Sequence, residues 1–132
     1  MSLLRTALFS KLTSDANVQA IVSGRIYPVK APPNGAVPPY ITYFKVSTNR
    51  IQSMQGNSQL SAVLMQFDCW AKTHAEADDL AEKVRLCIQG FLGTVSGVVI
   101  RGILNENQLE EYDDEAELYR VITEYRVWHE EA

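Results

Sequence analysis

The sequence is short of the residue types that most chemistry needs. It holds two cysteines, Cys69 and Cys87, and two histidines, His74 and His129. Two cysteines are too few for the disulfide framework of a small secreted domain. A zinc site needs paired cysteine and histidine spacings, and neither pair occurs. No serine sits in a nucleophile-elbow motif. The carboxylates Asp113, Asp114, Glu115 and Glu117 lack the central glycine and alternating ligands of an EF-hand, and read as solvated turn charges. No apolar run approaches the ~20 residues of a membrane span. Met1–Leu12 carries Arg5 and Lys11 around a short apolar stretch, without a signal-peptide core or cleavage site, so a cytosolic protein is expected. Positive charge is also in deficit: 12 Lys and Arg face 16 Asp and Glu, net −4, which argues against a dedicated nucleic-acid binder. No catalytic residue, cofactor site or metal site is therefore expected.

What is present is an ordinary globular composition. With 46% hydrophobic and 21% charged residues in 132, the chain is expected to form a single domain over 1–132 with a self-sufficient core. Leu3, Leu4, Ala7, Leu8 and Leu12 recur at helical spacing and predict an amphipathic helix over about 2–12. Thr13, Ser14 and Asp15 offer caps to a second short helix with Val18, Ile21 and Val22, closed by Gly24. Arg25–Pro28 reads as a short extended segment. Lys30–Pro39 contains four prolines and reads as a surface loop. Tyr40–Ser47 has the aromatic and β-branched content of a strand, and Thr48–Gln59 reads as a second, polar loop. In Leu60–Lys72 the residues Val63, Met65, Phe67, Cys69 and Ala71 alternate with a mixed face, the pattern of a sheet covered by helix on one side. Thr73-His74-Ala75-Glu76 is a capping box opening a helix that runs to about residue 91, with Gly93 as its stop. Strands are expected over Val98–Leu104 and Glu117–Trp128, joined by an acidic turn at Glu110–Glu115.

Several residues carry two readings. His74 and His129 can act as acid–base groups, but solvated surface roles are favoured for both. Cys69 and Cys87 fall on apolar faces, where packing as small hydrophobes is favoured over redox pairing. Gly90-Phe91-Leu92-Gly93 has the form of a GxxG loop, yet its two large apolar central residues and the lack of clustered bases favour a helix end. Trp70 and Trp128, on the second sheet face, either cover a second core layer or anchor a protein interface.

The order of these segments resembles the small tail-completion proteins of long-tailed bacteriophages and prophages, akin to tail terminators. The likeness is carried by Asp15-Ala16-Asn17-Val18, Gly24-Arg25-Ile26-Tyr27-Pro28, Pro38-Pro39-Tyr40-Ile41-Thr42-Tyr43, Gln66-Phe67-Asp68-Cys69-Trp70-Ala71, the helix Ala75–Arg85 and the terminal Leu118–Val127, nearly the whole chain. The resemblance implies a helix-packed sheet that assembles into a ring, typically hexameric, at the head-proximal end of the tail tube. Its partners would be the tail tube protein and head-connector proteins, with assembly in the host cytoplasm and residence in the virion tail. No membrane or specific nucleic-acid partner is implied, and the family has no catalytic residues to transfer.

The expected fold is α+β: an antiparallel sheet of about four to five strands with a long helix on one face and short N-terminal helices. Interaction loops are placed at Pro32, Pro33 and Asn34, and at Arg50, Gln52, Met54, Gln55 and Asn57. The rival functions are a head–tail connector adaptor of the same virion and a small bacterial ligand-binding domain or enzyme.

Overall fold

The structure, a computed structural model, describes residues 3–32, 37–53 and 56–130, with side chains at 4–32, 37–49 and 60–130. Three helices, α1 (Leu3–Thr13), α2 (Ala16–Val22) and α3 (His74–Ile88), pack on a sheet of six strands. The strands are β1 (Ile26–Pro28), β2 (Tyr40–Ser53), β3 (Gly56–Ala71), β4 (Gly93–Val95), β5 (Val98–Asp113) and β6 (Leu118–Glu130), in spatial order β1-β2-β3-β6-β5-β4. All neighbours are antiparallel except β1 and β2. The sheet is thus mixed and wider than four to five strands. The extra strands have only three residues each, too few to show any periodicity.

Local chemistry explains the helices. The Asp15 carboxylate accepts the N–H groups of Asn17 (2.9 Å) and Val18 (3.0 Å), capping α2. The Thr73 hydroxyl accepts the Glu76 N–H at 3.2 Å, while the Glu76 carboxylate meets that hydroxyl instead of the Thr73 backbone. Helix α3 stops at Ile88, short of residue 91. Gly90 turns left-handed (φ +78°) and its N–H donates to the Ile103 carbonyl at 2.8 Å, so the chain is tied to β5 there instead of winding on. Gly93 starts β4, not the helix stop; a Cβ there would lie 3.2 Å from the Phe91 ring.

The core lies between the helices and one sheet face. Leu4, Ala7, Leu8 and Leu12 of α1, Val18 and Val22 of α2, and Ala77, Leu80, Ala81, Val84 and Ile88 of α3 meet Val63, Met65, Phe67, Cys69 and Ala71 of β3 and Val121, Tyr125 and Val127 of β6. The alternation of β3 and the stripe of α3 therefore do what their periods predict.

Two strands run further than their apolar pattern. β2 and β3 pair up to Ser53↔Gly56, so most of the expected polar loop is a β-hairpin arm. β5 continues to Asp113, so Glu110–Asp113 is strand and the turn is confined to 114–117. Along β5 the extension meets the helical layer at the first residue of α3, where His74 lies 3.0 Å from Glu110. Residues 110–113 are all outside the buried core, so period-two hydrophobicity disappears there while backbone pairing persists.

Candidate interaction surfaces

The hairpin arm projects past the sheet. β3 meets β6 only from Leu60↔Glu130 onward, so among the described residues Gln52 and Ser53 pair with Asn57 and Gly56 as a two-stranded ribbon without a third strand. Arg50 and Gln52 lie on β2 and Asn57 on β3, in strands and not in a loop; Met54 and Gln55 lie outside the described residues. A bulge between Ile51 and Gln52 opens the ribbon and another between Lys45 and Ser47 precedes it in the three-stranded part, and such bulges increase local twist.

The described start of the proline-rich stretch, Lys30–Pro32, lies over the face opposite the helices. Pro32 is exposed, while Pro33 and Asn34 lie outside the described residues. Arg25 anchors the far end: its Nε donates to the Pro39 carbonyl (3.0 Å) and its Nη2 to the Ile21 carbonyl (3.2 Å), joining the loop to the end of α2. Val29 to Pro32 overhang a cleft of about 360 Å³ whose floor is Tyr40, Thr42 and Phe44 of β2, Asp68 and Trp70 of β3, and Arg120 of β6.

Trp70 organises that floor. Its indole N–H donates to the Thr42 hydroxyl at 2.9 Å, Tyr40 stacks on it at 5.9 Å between centroids, and the Arg120 guanidinium lies over it at 5.0 Å. Arg120 Nη1 is 3.0 Å from Glu111, and its Nε is 3.4 Å from Asp68, an ion pair without hydrogen-bond alignment. Asp68 is buried and accepts from Gln66 Nε2 at 2.9 Å. Burial pushes its carboxyl above the ordinary value, outweighing Gln66 and Arg120, which pull it down. Burial, then Asp113, likewise raises the Tyr40 phenol. Trp128 is half-buried on the same face and covers Gly102, whose missing Cβ would lie 3.8 Å from the indole. Both tryptophans thus occupy the face read from sequence, each partly covered by its own chain.

The remaining reactive types are dispersed. His74 is half exposed, 3.0 Å from Glu110 and edge-on to Tyr119. His129 departs from its expected surface role: it is buried, because β6 continues to Glu130 and places it opposite Ser61 and Ile100. Both thiols are free. Cys69 is wholly buried, and burial raises its pKa; Cys87 is half-buried, 3.7 Å from the Lys11 carbonyl, and is pushed up to about 11, mainly by burial. Among the described residues no three His, Cys, Asp or Glu side chains group as metal ligands, and no helix is long and apolar enough to cross a membrane.

The Asp68–Arg120–Glu111 bridge and the Arg25 anchor were not foreseen. Both join segments far apart in sequence, and only strand register reveals them. The one sequence signal was an acid in the middle of the clearest strand.

A family model described as tail completion protein gp17 matches residues 6–130. The chain belongs to that family. It is accordingly a structural protein of a phage tail and not an enzyme. Among solved structures, a chain of the "Virion of native gene transfer agent (GTA) particle" superposes with a TM-score of 0.83 at 18% identity, over 96% of this chain and 94% of that one, so the two share a fold. No curated protein matches the chain.

Proposed function

We propose that the protein completes the tail by capping the tail tube as a ring and giving the head a surface to join. The observation that carries this reading is the family match, which spans all three helices and the whole sheet apart from the first residues of α1. That a chain of a virion particle has the same fold supports it. The whole chain acts as one domain, subunits are made and assembled in the host cytoplasm, and the finished ring resides in the virion tail. A hexamer is the expected ring, formed through heterologous contacts whose rotation closes.

In this reading the hairpin arm, with Arg50, Gln52, Met54, Gln55 and Asn57, and the proline-rich stretch, with Pro32, Pro33 and Asn34, meet neighbouring subunits or the tube. Trp70 and Trp128 contribute aromatic contact area on the face away from the helices. Electron microscopy of particles from a phage or prophage lacking the protein tests the proposal. Overlong or headless tails are expected; normal infectious particles would overturn it. Binding of the purified protein to portal-bearing heads and not to tail tubes would assign it instead to the head–tail connector.

A further inference from the structure

The sheet ends in two long uncovered edges of opposite charge. On β2, the Ile41 N–H donates to the Arg25 carbonyl and the Tyr43 carbonyl accepts from Val29, which closes the edge as far as Tyr43. From Phe44 to Ser53 no backbone bond reaches that edge among the described residues. On β5, β4 covers Val98–Ile100 and Gly90 takes the Ile103 carbonyl, leaving Leu104 to Asp113 without a neighbouring strand on the side away from β6 among the described residues. The two free runs have equal length. Bare edges of this length are templates for pairing with another chain.

Charge separates them. From Ala16 to Phe67 the sequence contains no Asp or Glu and includes Arg25, Lys30, Lys45 and Arg50. From Gly102 to Glu117 it contains seven carboxylates and no Lys or Arg. Of these, Glu106, Glu110 and Glu111 meet Arg126, His74 and Arg120, whereas Asp114, Glu115 and Glu117 form no ion pair among the described residues. Lys45 is exposed and likewise without an ion-pair partner among them. Each edge therefore repels its own kind and attracts the other.

We propose that the free edge of β2 in one subunit pairs antiparallel with the free edge of β5 in the next, so that one sheet runs through the assembly. This rests on the ring reading above and names its interface. Strand directions fit: β2, β3, β6 and β5 alternate, so two copies in the same orientation bring β5 and β2 together antiparallel. The heights fit as well. Glu111 stands level with Tyr40 through Arg120 and Trp70, so setting Phe44 against Asp113 requires a stagger of about six residues, roughly 20 Å. Spread over four long strands spaced about 4.8 Å, that stagger tilts the strands by roughly 45°, close to the tilt at which sheets close on themselves. The same shift sets β1 end to end with the neighbour's β5 and β4 end to end with the neighbour's β2.

The test uses particles carrying the double variant Asn49→Cys/Leu109→Cys, both on the face away from the helices, treated with a short bis-maleimide. A ladder of covalent oligomers reaching ring size on a denaturing gel is expected, with no ladder from either single variant or the unmodified chain. Crosslinking by a single variant in a Cys87→Ser background, which removes the half-buried native thiol, would mean like edges pair and would overturn the proposal. Rings visible by microscopy without a ladder would overturn it while leaving the ring standing; particles without any ring would sink both. Should the cysteine variants fail to incorporate, charge exchange decides. Lys45→Glu should lower incorporation by about tenfold and Lys45→Glu/Asp114→Lys should restore most of it, as opposed charges at an interface require; absence of rescue counts against the pairing.

Discussion

On β3, Val63, Met65, Phe67, Cys69 and Ala71 face the helices and are at most 2% exposed, whereas Leu64, Gln66 and Trp70 on the other face stay half-buried and Asp68 is buried beside Arg120. The same strand thus serves two kinds of packing. Toward the helices the contacts are apolar, aromatic pairs such as Phe67–Tyr125 (5.7 Å) and Phe67–Tyr43 (6.0 Å) included. Away from them, polar and aromatic groups cover one another one by one, as Trp70 does with Thr42, Tyr40 and Arg120. A face built in the first way resists any loss of volume. The second way leaves polar atoms near the surface, where a partner protein can complete their cover.

Truncation at equivalent heights should separate the two. Phe67→Ala removes a wholly buried ring and should cost about 3–5 kcal/mol, enough to leave little folded protein in mild denaturant. Leu109→Ala, on the open face and half exposed, should change stability by less than ~0.5 kcal/mol. Chemical denaturation of both variants checks the contrast, and comparable losses would erase the distinction between faces. Trp70→Ala lies between, at about 1–2 kcal/mol, since it removes a half-buried ring and the platform under Arg120. Its effect on tail incorporation should exceed what that loss alone explains. Thr73→Ala should cost about 1 kcal/mol by leaving the start of α3 uncapped, measured the same way.

The helix-covered half of the molecule was readable because burial there forces periods of 3.6 or 2 onto the sequence. The caps at Asp15 and Thr73 were readable for a related reason, since their partners lie within three residues. Where strands outrun their apolar pattern, no period survives: Gln52 and Asn57 pair across a ribbon whose residues look like a loop, and Glu110–Asp113 look like a turn. The interaction surfaces were harder still. Trp70 and Trp128 could be placed on a face by parity alone, but the cleft needs the crossing of Val29–Pro32 over β2 and the register that brings Arg120 to Asp68. Register between strands fifty residues apart leaves no local trace. The opposed charges of the two edges were visible in composition, yet they mean nothing until the strand order makes β2 and β5 the outer long strands.

The last expected effect concerns Asp68, and its sign tests how the open face is held. Burial raises the carboxyl above its ordinary value of 3.8 in the folded chain, so the native state keeps a proton that the unfolded chain has released. Stability at this site is therefore highest below the unfolded value, falls as pH rises from there through the raised folded value, and is level beyond it. Asp68→Asn cannot titrate. It keeps an oxygen to accept from Gln66, and Arg120 retains Glu111 at 3.0 Å. Other groups titrate alike in both proteins, so the difference in unfolding free energy isolates this one group. That difference should grow in favour of the variant as pH rises from below the unfolded value through the raised folded value, and then stay constant. A constant difference would mean that burial and ion pairing balance. A difference growing in favour of the unmodified chain would mean that attraction from Arg120 exceeds the cost of burial, making the Asp68–Arg120 contact a stabilising element of the open face in its own right.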